Sequence, residues 1–509
     1  MNIKTIHKAK IAIVLVFLVA ANISAQNIEL KSESSTVTLT LERTITLAND
    51  SSLEAFRARN IYMASYWEYI TFKAGRLPSL TLNIVPGEYN RTIIKRYDSE
   101  TNLDIYRQQQ IFEASGGLSI VQNFDPLGGT FFVNTDLGFM SNFGDSTVTQ
   151  FNSVPARIGY NQDLLGYNPF KWAKKIEPLK FEKAKKQLVY NLENTAGLVT
   201  EHFFSLAMAQ AEYDLSVENL RNTDTLYRFM GDERSKILAI SQSDLSTLKL
   251  DYINAVNDHR NAEIKLKRAV SALTTFLNMD KNTNIRLELP SYPKSMDISS
   301  DKALAEARSN NPELLGYEQS ILENMQQVDR TKKEFMFNVS IYASVGFNQI
   351  ANSLSKAYRD PLRQDVVMLR VSIPLVDWGV RKGRYNMAKN NLNVTEISAR
   401  LGEVRIEEDV IMTVGDFNIQ KDLISHSEEA VELADNIYEE TLQRFMIGTA
   451  DLNTLTLSRQ RQQQARKNYI LDLERYWVNY YKIRKLTLYD FENNLPISDM
   501  IDSKIFNGR

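Results

Sequence analysis

The chain is written twice. Asp244-Leu245-Ser246-Thr247-Leu248-Lys249-Leu250 returns as Asp451-Leu452-Asn453-Thr454-Leu455-Thr456-Leu457, in one D-L-x-T-L-x-L frame. Each copy lies late in a long proline-free tract, Pro178 to Pro290 and Pro374 to Pro496. Each tract follows alternating apolar and polar residues with a tryptophan at the exit, Trp172 in one half and Trp378 in the other. Internal duplication decides architecture before any local motif does. Strands followed by very long helices, given twice, suit a tube better than a compact enzyme.

The strands are legible from period two. Leu80, Leu82 and Ile84 alternate with Ser79, Thr81 and Asn83; in the second copy Val339, Ile341, Ala343, Val345 and Phe347 alternate with Ser340, Tyr342 and Ser344. Return strands alternate through Ile158 and Tyr160, and through Leu369, Val371 and Ile373. These place second-copy strands at 338–348 and 366–376. A helical segment over 37–75 precedes the first strand, and one containing Ala303-Leu304-Ala305 and Asn310-Asn311-Pro312-Glu313-Leu314 precedes the second. Residues 86–153 form a long insertion of loop and hairpin character, with strand-like runs at Gly117–Asn123 and Phe131–Phe139. Either 118–122 or 79–85 could serve as the inward strand.

Long helical pairs follow at 172–280 and 382–487, interrupted near 237–244 and 445–451. Leu245, Leu248, Tyr252 and Val256, and Ala465, Tyr469, Leu473, Tyr476 and Tyr480, recur at threes and fours. Such a narrow stripe suits helices packed side by side as coiled coils. The repeats are thus 26–289 and 290–489, with a tail at 490–509.

Residues 1–25 read as a signal peptide. Lys4, Lys8 and Lys10 precede an apolar run from Ile11 to Ala20, and Ile23-Ser24-Ala25 suits cleavage before Gln26. Export is therefore expected. The chain has no cysteine, which excludes disulfides, thiolate metal sites and a thiol nucleophile. The formal charge of −2 becomes about −5 once three signal lysines leave and no acid leaves with them, which gives no electrostatic case for nucleic acid. His202, His259 and His426 stand isolated, and no cluster supports catalysis, a metal or a cofactor. The sequence therefore points to no enzyme activity and no cofactor.

Asp244 and Asp451 fit two roles at once: a carboxylate complementing a helix start, and an acidic ring where copies meet on an axis. Trp172 lies beside Lys171, Lys174 and Lys175, and Trp378 beside Arg381, Lys382 and Arg384. Aromatic and basic residues at a strand exit suit a membrane-interface girdle.

Four motifs, in order, resemble the TolC family of outer-membrane efflux channels. They are Arg76-Leu77-Pro78-Ser79-Leu80, Asn311-Pro312-Glu313-Leu314, Ser372-Ile373-Pro374-Leu375-Val376-Asp377-Trp378-Gly379, and Arg444-Phe445-Met446-Ile447-Gly448-Thr449-Ala450-Asp451-Leu452. The long insertion and the Ile-Ser-Gln-Ser-Asp-Leu turn look like the branch found in Bacteroides-type bacteria.

The resemblance implies a mixed α/β membrane protein in the outer membrane. It would be a homotrimeric β-barrel continuous with a periplasmic α-helical barrel, built from a duplicated helix–strand–strand–helix unit. Each protomer would give four strands to a twelve-stranded barrel in outer-membrane lipid. The resemblance further implies a passive exit duct of a tripartite efflux or type I secretion system, with a periplasmic adaptor protein and an inner-membrane pump as partners. Asp244 and Asp451 would form the periplasmic constriction, and Ser241, Gln242, Arg444, Gly448 and Thr449 the adaptor-contact tip. Ala450, Thr454 and Leu457 depart from the family's gate pattern, and the first turn lacks a counterpart of Gly448. The rival reading is a periplasmic coiled-coil adaptor or scaffold without a membrane barrel.

Overall fold

The computed structural model describes residues 36–143, 147–231, 242–280, 283–292 and 296–497. The signal-peptide segment, Ser241 and the last residues of the tail lie outside them. The first repeat runs β1 (Thr36–Leu39), α1 (Leu41–Ser51), α2 (Leu53–Ala74), β2 (Ser79–Asp98), β3 (Leu103–Phe124), β4 (Gly129–Phe143), β5 (Val148–Asp163), α3 (Pro169–Gly231) and α4 (Gln242–Phe276). The second runs β6 (Asn284–Leu287), α5 (Ser300–Asn310), α6 (Pro312–Phe335), β7 (Asn338–Ala351), β8 (Leu362–Ser372), α7 (Val380–Met446) and α8 (Leu452–Thr487). The chain then closes on a short hairpin, β9 (Tyr489–Asp490) and β10 (Leu495–Pro496).

The expected helix over 37–75 is in fact a strand and two helices. Thr36-Val37-Thr38-Leu39 is β-branched and alternating, and it pairs in parallel with β6 of the other repeat. Ser52 then breaks the helix: its hydroxyl accepts from Ala55 N–H at 3.1 Å and starts α2. Asn311 makes the equivalent break in the second repeat, accepting from Glu313 N–H at 2.9 Å with Pro312 behind it. Its amide also donates to the Leu486 carbonyl at 3.0 Å, fixing α6 to the end of α8.

One sheet holds six strands in the order β2-β3-β4-β5-β7-β8, all neighbours antiparallel. This corrects two expectations. The 86–153 insertion is mostly sheet, and the first repeat contributes four strands where two were expected, so the chain supplies six rather than four. Residues 118–122 and 79–85 do not compete, because they pair with each other, Leu80 opposite Ile120 and Leu82 opposite Leu118. Pro86 and Gly87 sit at an interruption of that ladder, between Val85 and Glu88, where a missing N–H is tolerated. The β2–β3 hairpin extends past the end of β4, which stops pairing at Gln110 opposite Phe143, and so leaves a two-stranded ribbon.

The helices run at 63 and 67 residues for α3 and α7, on the order of 95–100 Å each at 1.5 Å per residue. The main core gathers Phe203 and Phe204 of α3, Val410, Val414 and Phe417 of α7, and Leu473, Tyr476 and Tyr480 of α8, with Leu41 of α1 and Ala303 of α5 closing it. The rings of Phe417 and Tyr476 lie 4.7 Å apart. Close to this core Arg484 donates to both carboxylate oxygens of Glu193 at 2.8 and 3.0 Å, and to Asp490 at 2.9 Å. It thereby ties α8 to α3 and to the terminal hairpin. Further out, Glu212 of α3 accepts from Lys265 of α4 at 2.9 Å and pairs with Lys467 of α8 at 2.8 Å. Partial burial pushes the Glu212 carboxyl up, but the two ammonium groups outweigh it and hold it below the ordinary range.

Candidate functional site

Residues opposite one another across neighbouring strands project from the same face of a sheet. Followed through the register, one row reads Leu80, Ile120, Val133, Ile158, Val345. The next row on that face includes Phe131, Tyr160, Ala343 and Val367, followed by Ile341 and Leu369. The opposite face, one residue on, reads Thr81, Ser119, Asn134, Arg157, Gly346, Gln364. Hydrogen bonds confirm the shared side: Ser119 Oγ donates to Asn134 at 2.8 Å and Arg157 to Gln364 at 3.3 Å. One face is thus mainly apolar, although its first row ends on Asp365 of β8 opposite Val345, and the other is mainly polar.

The apolar face has no protein packed on it. Leu80 is 66% exposed, Ile158 54% and Val367 78%. A sheet with a core would bury this side, so its natural solvent is hydrocarbon. Aromatic rings border it at two levels. At the level nearer the helices, Phe124 meets Phe131 at 5.7 Å and Phe131 meets Tyr160 at 4.5 Å. At the far level Phe112 meets Phe139 at 6.4 Å and Phe139 meets Phe151 at 5.2 Å, with Tyr89 opposite Phe112. From Phe131 to Phe139 is about 27 Å at about 3.4 Å per residue. That is close to the roughly 25 Å apolar band between the aromatic girdles of outer-membrane barrels.

The two tryptophans stand at the near rim but are not equivalent. Asp377 accepts from Gly379 N–H at 3.0 Å and from Arg381 N–H at 3.2 Å, which starts α7. The same tight turn puts Trp378 and Gly379 at φ 53° and 88°, in the left-handed region, and leaves Trp378 95% exposed. The motif Asp377-Trp378-Gly379 is therefore a strand-to-helix cap that displays an indole. In the first repeat Asn168 takes the capping part, accepting from Lys171 N–H at 3.1 Å. There Trp172 is half-buried, and its Nε1 donates to Asp329 of α6 at 2.9 Å, with Lys175 Nζ 5.6 Å from the ring.

At the opposite end of the helices, α7 stops at Gly448, whose φ of 76° lies in the left-handed region that favours glycine. Thr449 and Ala450 N–H return to the Arg444 carbonyl at 2.9 and 3.2 Å, and the Thr449 hydroxyl donates to it at 3.1 Å. Asp451 is the N-cap of α8 and accepts from Thr454 N–H at 2.7 Å. That bond holds its carboxyl below the ordinary range and therefore ionised. Asp244 lies in the first turn of α4, and Gln242 opens it. The second-repeat tip residues Arg444, Gly448, Thr449 and Asp451 thus belong to one turn.

Sequence reasoning misses a stripe on α7. Val394, Ile397, Leu401, Val404 and Ile411 recur at threes, fours and one seven, and each is 46–64% exposed. It misses the two phenylalanine levels as well. A signal for both is present: aromatics at even spacing within alternating strands, and a second apolar heptad beside the buried one. Among the described residues no helix is long and apolar enough to cross a membrane, and no group of His, Cys, Asp or Glu could hold a metal ion.

Residues 303–487 match the family model described as outer membrane efflux protein. The fold as a whole is similar to solved channels. The outer membrane channel CmeC of Campylobacter jejuni matches at a TM-score of 0.63 and 13% identity, over 90% of this chain and 89% of that one. The Vibrio cholerae outer membrane protein VceC matches at 0.58 and 13%, over 88% and 95%. The open state of the Neisseria gonorrhoeae MtrE outer membrane channel matches at 0.58 and 12%, over 88% of each. No curated protein matches the sequence. The second repeat carries the efflux-protein signature expected from the motifs, and the chain has the fold of these channels.

Proposed function

We propose that this chain is the outer-membrane exit duct of a tripartite efflux or type I secretion system, a passive channel and not an enzyme. The observation that carries the reading is the exposed apolar band of the sheet, bordered by aromatic rings and backed by a polar face. A periplasmic scaffold without a barrel has no use for such a surface. Two further features support a ring of copies: the sheet has two unpaired edges, which lipid does not tolerate, and α7 bears an unpartnered apolar stripe. The resemblance to the TolC family favours three copies, forming a homotrimer. In that assembly the long helices line a periplasmic conduit, the Asp451 and Asp244 turns converge at its tip, and an adaptor joined to an inner-membrane pump docks there. Trp378, with exposed Leu375 and Val376, sits at the periplasmic membrane interface, and Trp172 lies just beneath it.

Extraction tests the reading. The protein should leave outer membranes only with detergent and run as a heat-modifiable trimer by native mass spectrometry. A stable monomer in detergent-free buffer would overturn it.

A further inference from the structure

Resting on that reading, we infer that the β2–β3 hairpin is part of the barrel wall, that the seam between copies joins β2 of one to β8 of the next, and that three copies close eighteen strands. Six strands per chain, in one continuous sheet, give that number for three chains.

Three observations carry it. First, β4 has no free edge. It pairs with β3 from Gly129 to Phe143 and with β5 from Thr130 to Asn142, so a neighbour cannot join at β4 without stripping β3 away. The free edges belong to β2 and β8. Second, the hairpin wears the same membrane surface as the other strands. Leu80, Leu118 and Ile120 continue the apolar face, while Phe124 joins the near aromatic level and Phe112 and Tyr89 the far one. A hairpin folded away into water or into the lumen would have no reason to repeat both levels. Third, the strand sense fits. β2 leaves α2 and runs away from the helices, and β8 runs back into α7. The two meet antiparallel, which preserves the alternation around a closed barrel and leaves no edge in lipid. Because diameter grows about linearly with strand number, the lumen is about half as wide again as that of a twelve-stranded barrel.

The chain has no cysteine, so pairs can be introduced on a clean background. Thr81→Cys on the polar face of β2 is combined, one at a time, with Gln364→Cys, Val366→Cys, Met368→Cys or Arg370→Cys on the same face of β8. A second series pairs Asn134→Cys of β4 with the same four. Within one chain both partners stand far apart in the sheet, so any disulfide joins two copies. Oxidation in outer membranes, followed by boiling without reductant, should give covalent dimers and trimers for at least one Thr81 pair and none for Asn134. Links from Asn134, or a stable trimer linked by neither series, would overturn the seam while leaving the duct intact. Loss of trimer in unmodified protein would overturn the duct, and the seam with it.

Discussion

Leu118 and Ser119 are neighbours on β3 that face opposite ways, so the same substitution at each reads out which side meets lipid. Leu118 lies midway between the aromatic levels set by Phe124 and Phe112, opposite Leu82 and Thr135 on the apolar face. Arginine at the midplane of an outer-membrane barrel costs about 2–4 kcal/mol. One copy of Leu118→Arg therefore lowers the folding equilibrium by about 30- to 1,000-fold, since 1.4 kcal/mol is tenfold. A trimer carries three copies, on the order of 6–12 kcal/mol in all. Ser119→Arg loses the 2.8 Å hydrogen bond to Asn134, worth about 1 kcal/mol, and otherwise enters water. Urea unfolding from lipid vesicles, followed by the loss of heat-modifiable trimer, should show Leu118→Arg failing to assemble and Ser119→Arg close to the parent. Equal behaviour of the two would refute the face assignment. Tolerance of both would place the hairpin outside the membrane.

Arg484→Met keeps the length of the side chain but leaves Glu193 and Asp490 without their shared partner, 9% and 5% exposed. A loss of about 3–5 kcal/mol is expected in thermal melts, partly restored by adding Glu193→Gln. Asp244→Ala with Asp451→Ala should raise single-channel conductance and weaken cation selectivity and divalent block, and an unchanged reversal potential in a salt gradient would leave these residues as helix caps only. Lipids labelled at the headgroup should quench Trp378 most strongly and Trp172 less, with Trp67 and Trp477 responding least; equal quenching of all four would contradict the orientation.

Much of the fold is legible in the amino-acid sequence, because duplication and long proline-free tracts leave few architectures open. The helical pairs expected at 172–280 and 382–487 are found at Pro169–Gly231 with Gln242–Phe276, and at Val380–Met446 with Leu452–Thr487. The stripe through Leu473, Tyr476 and Tyr480 is indeed core. The insertion is misleading for a physical reason. Its strands carry Gly116, Gly117 and Gly138, which depress strand propensity, yet a Cβ at Gly117 or Gly138 would meet the Asp136 or Asn152 side chain across the ladder, and the adjoining return strand has the same need. A Cβ on Gly159 would collide with the Phe132 ring, which stacks on Tyr342. The pairing of β1 with β6 brings Thr36 opposite Asn284, half the chain away, and no local pattern announces it. The Asp377-Trp378-Gly379 motif stands out by its tryptophan, while its cap depends on side-chain geometry that spacing does not carry.

The most direct test of the central claim is current through a planar lipid bilayer. The detergent-purified full chain carrying Asp244→Ala and Asp451→Ala, which relieves the tip, is reconstituted alone, without adaptor or pump. A lumen formed by three copies predicts discrete, uniform steps of conductance that vanish when the trimer is dissociated by heat. A bilayer that stays insulating although assembled trimer is present in it would contradict the duct.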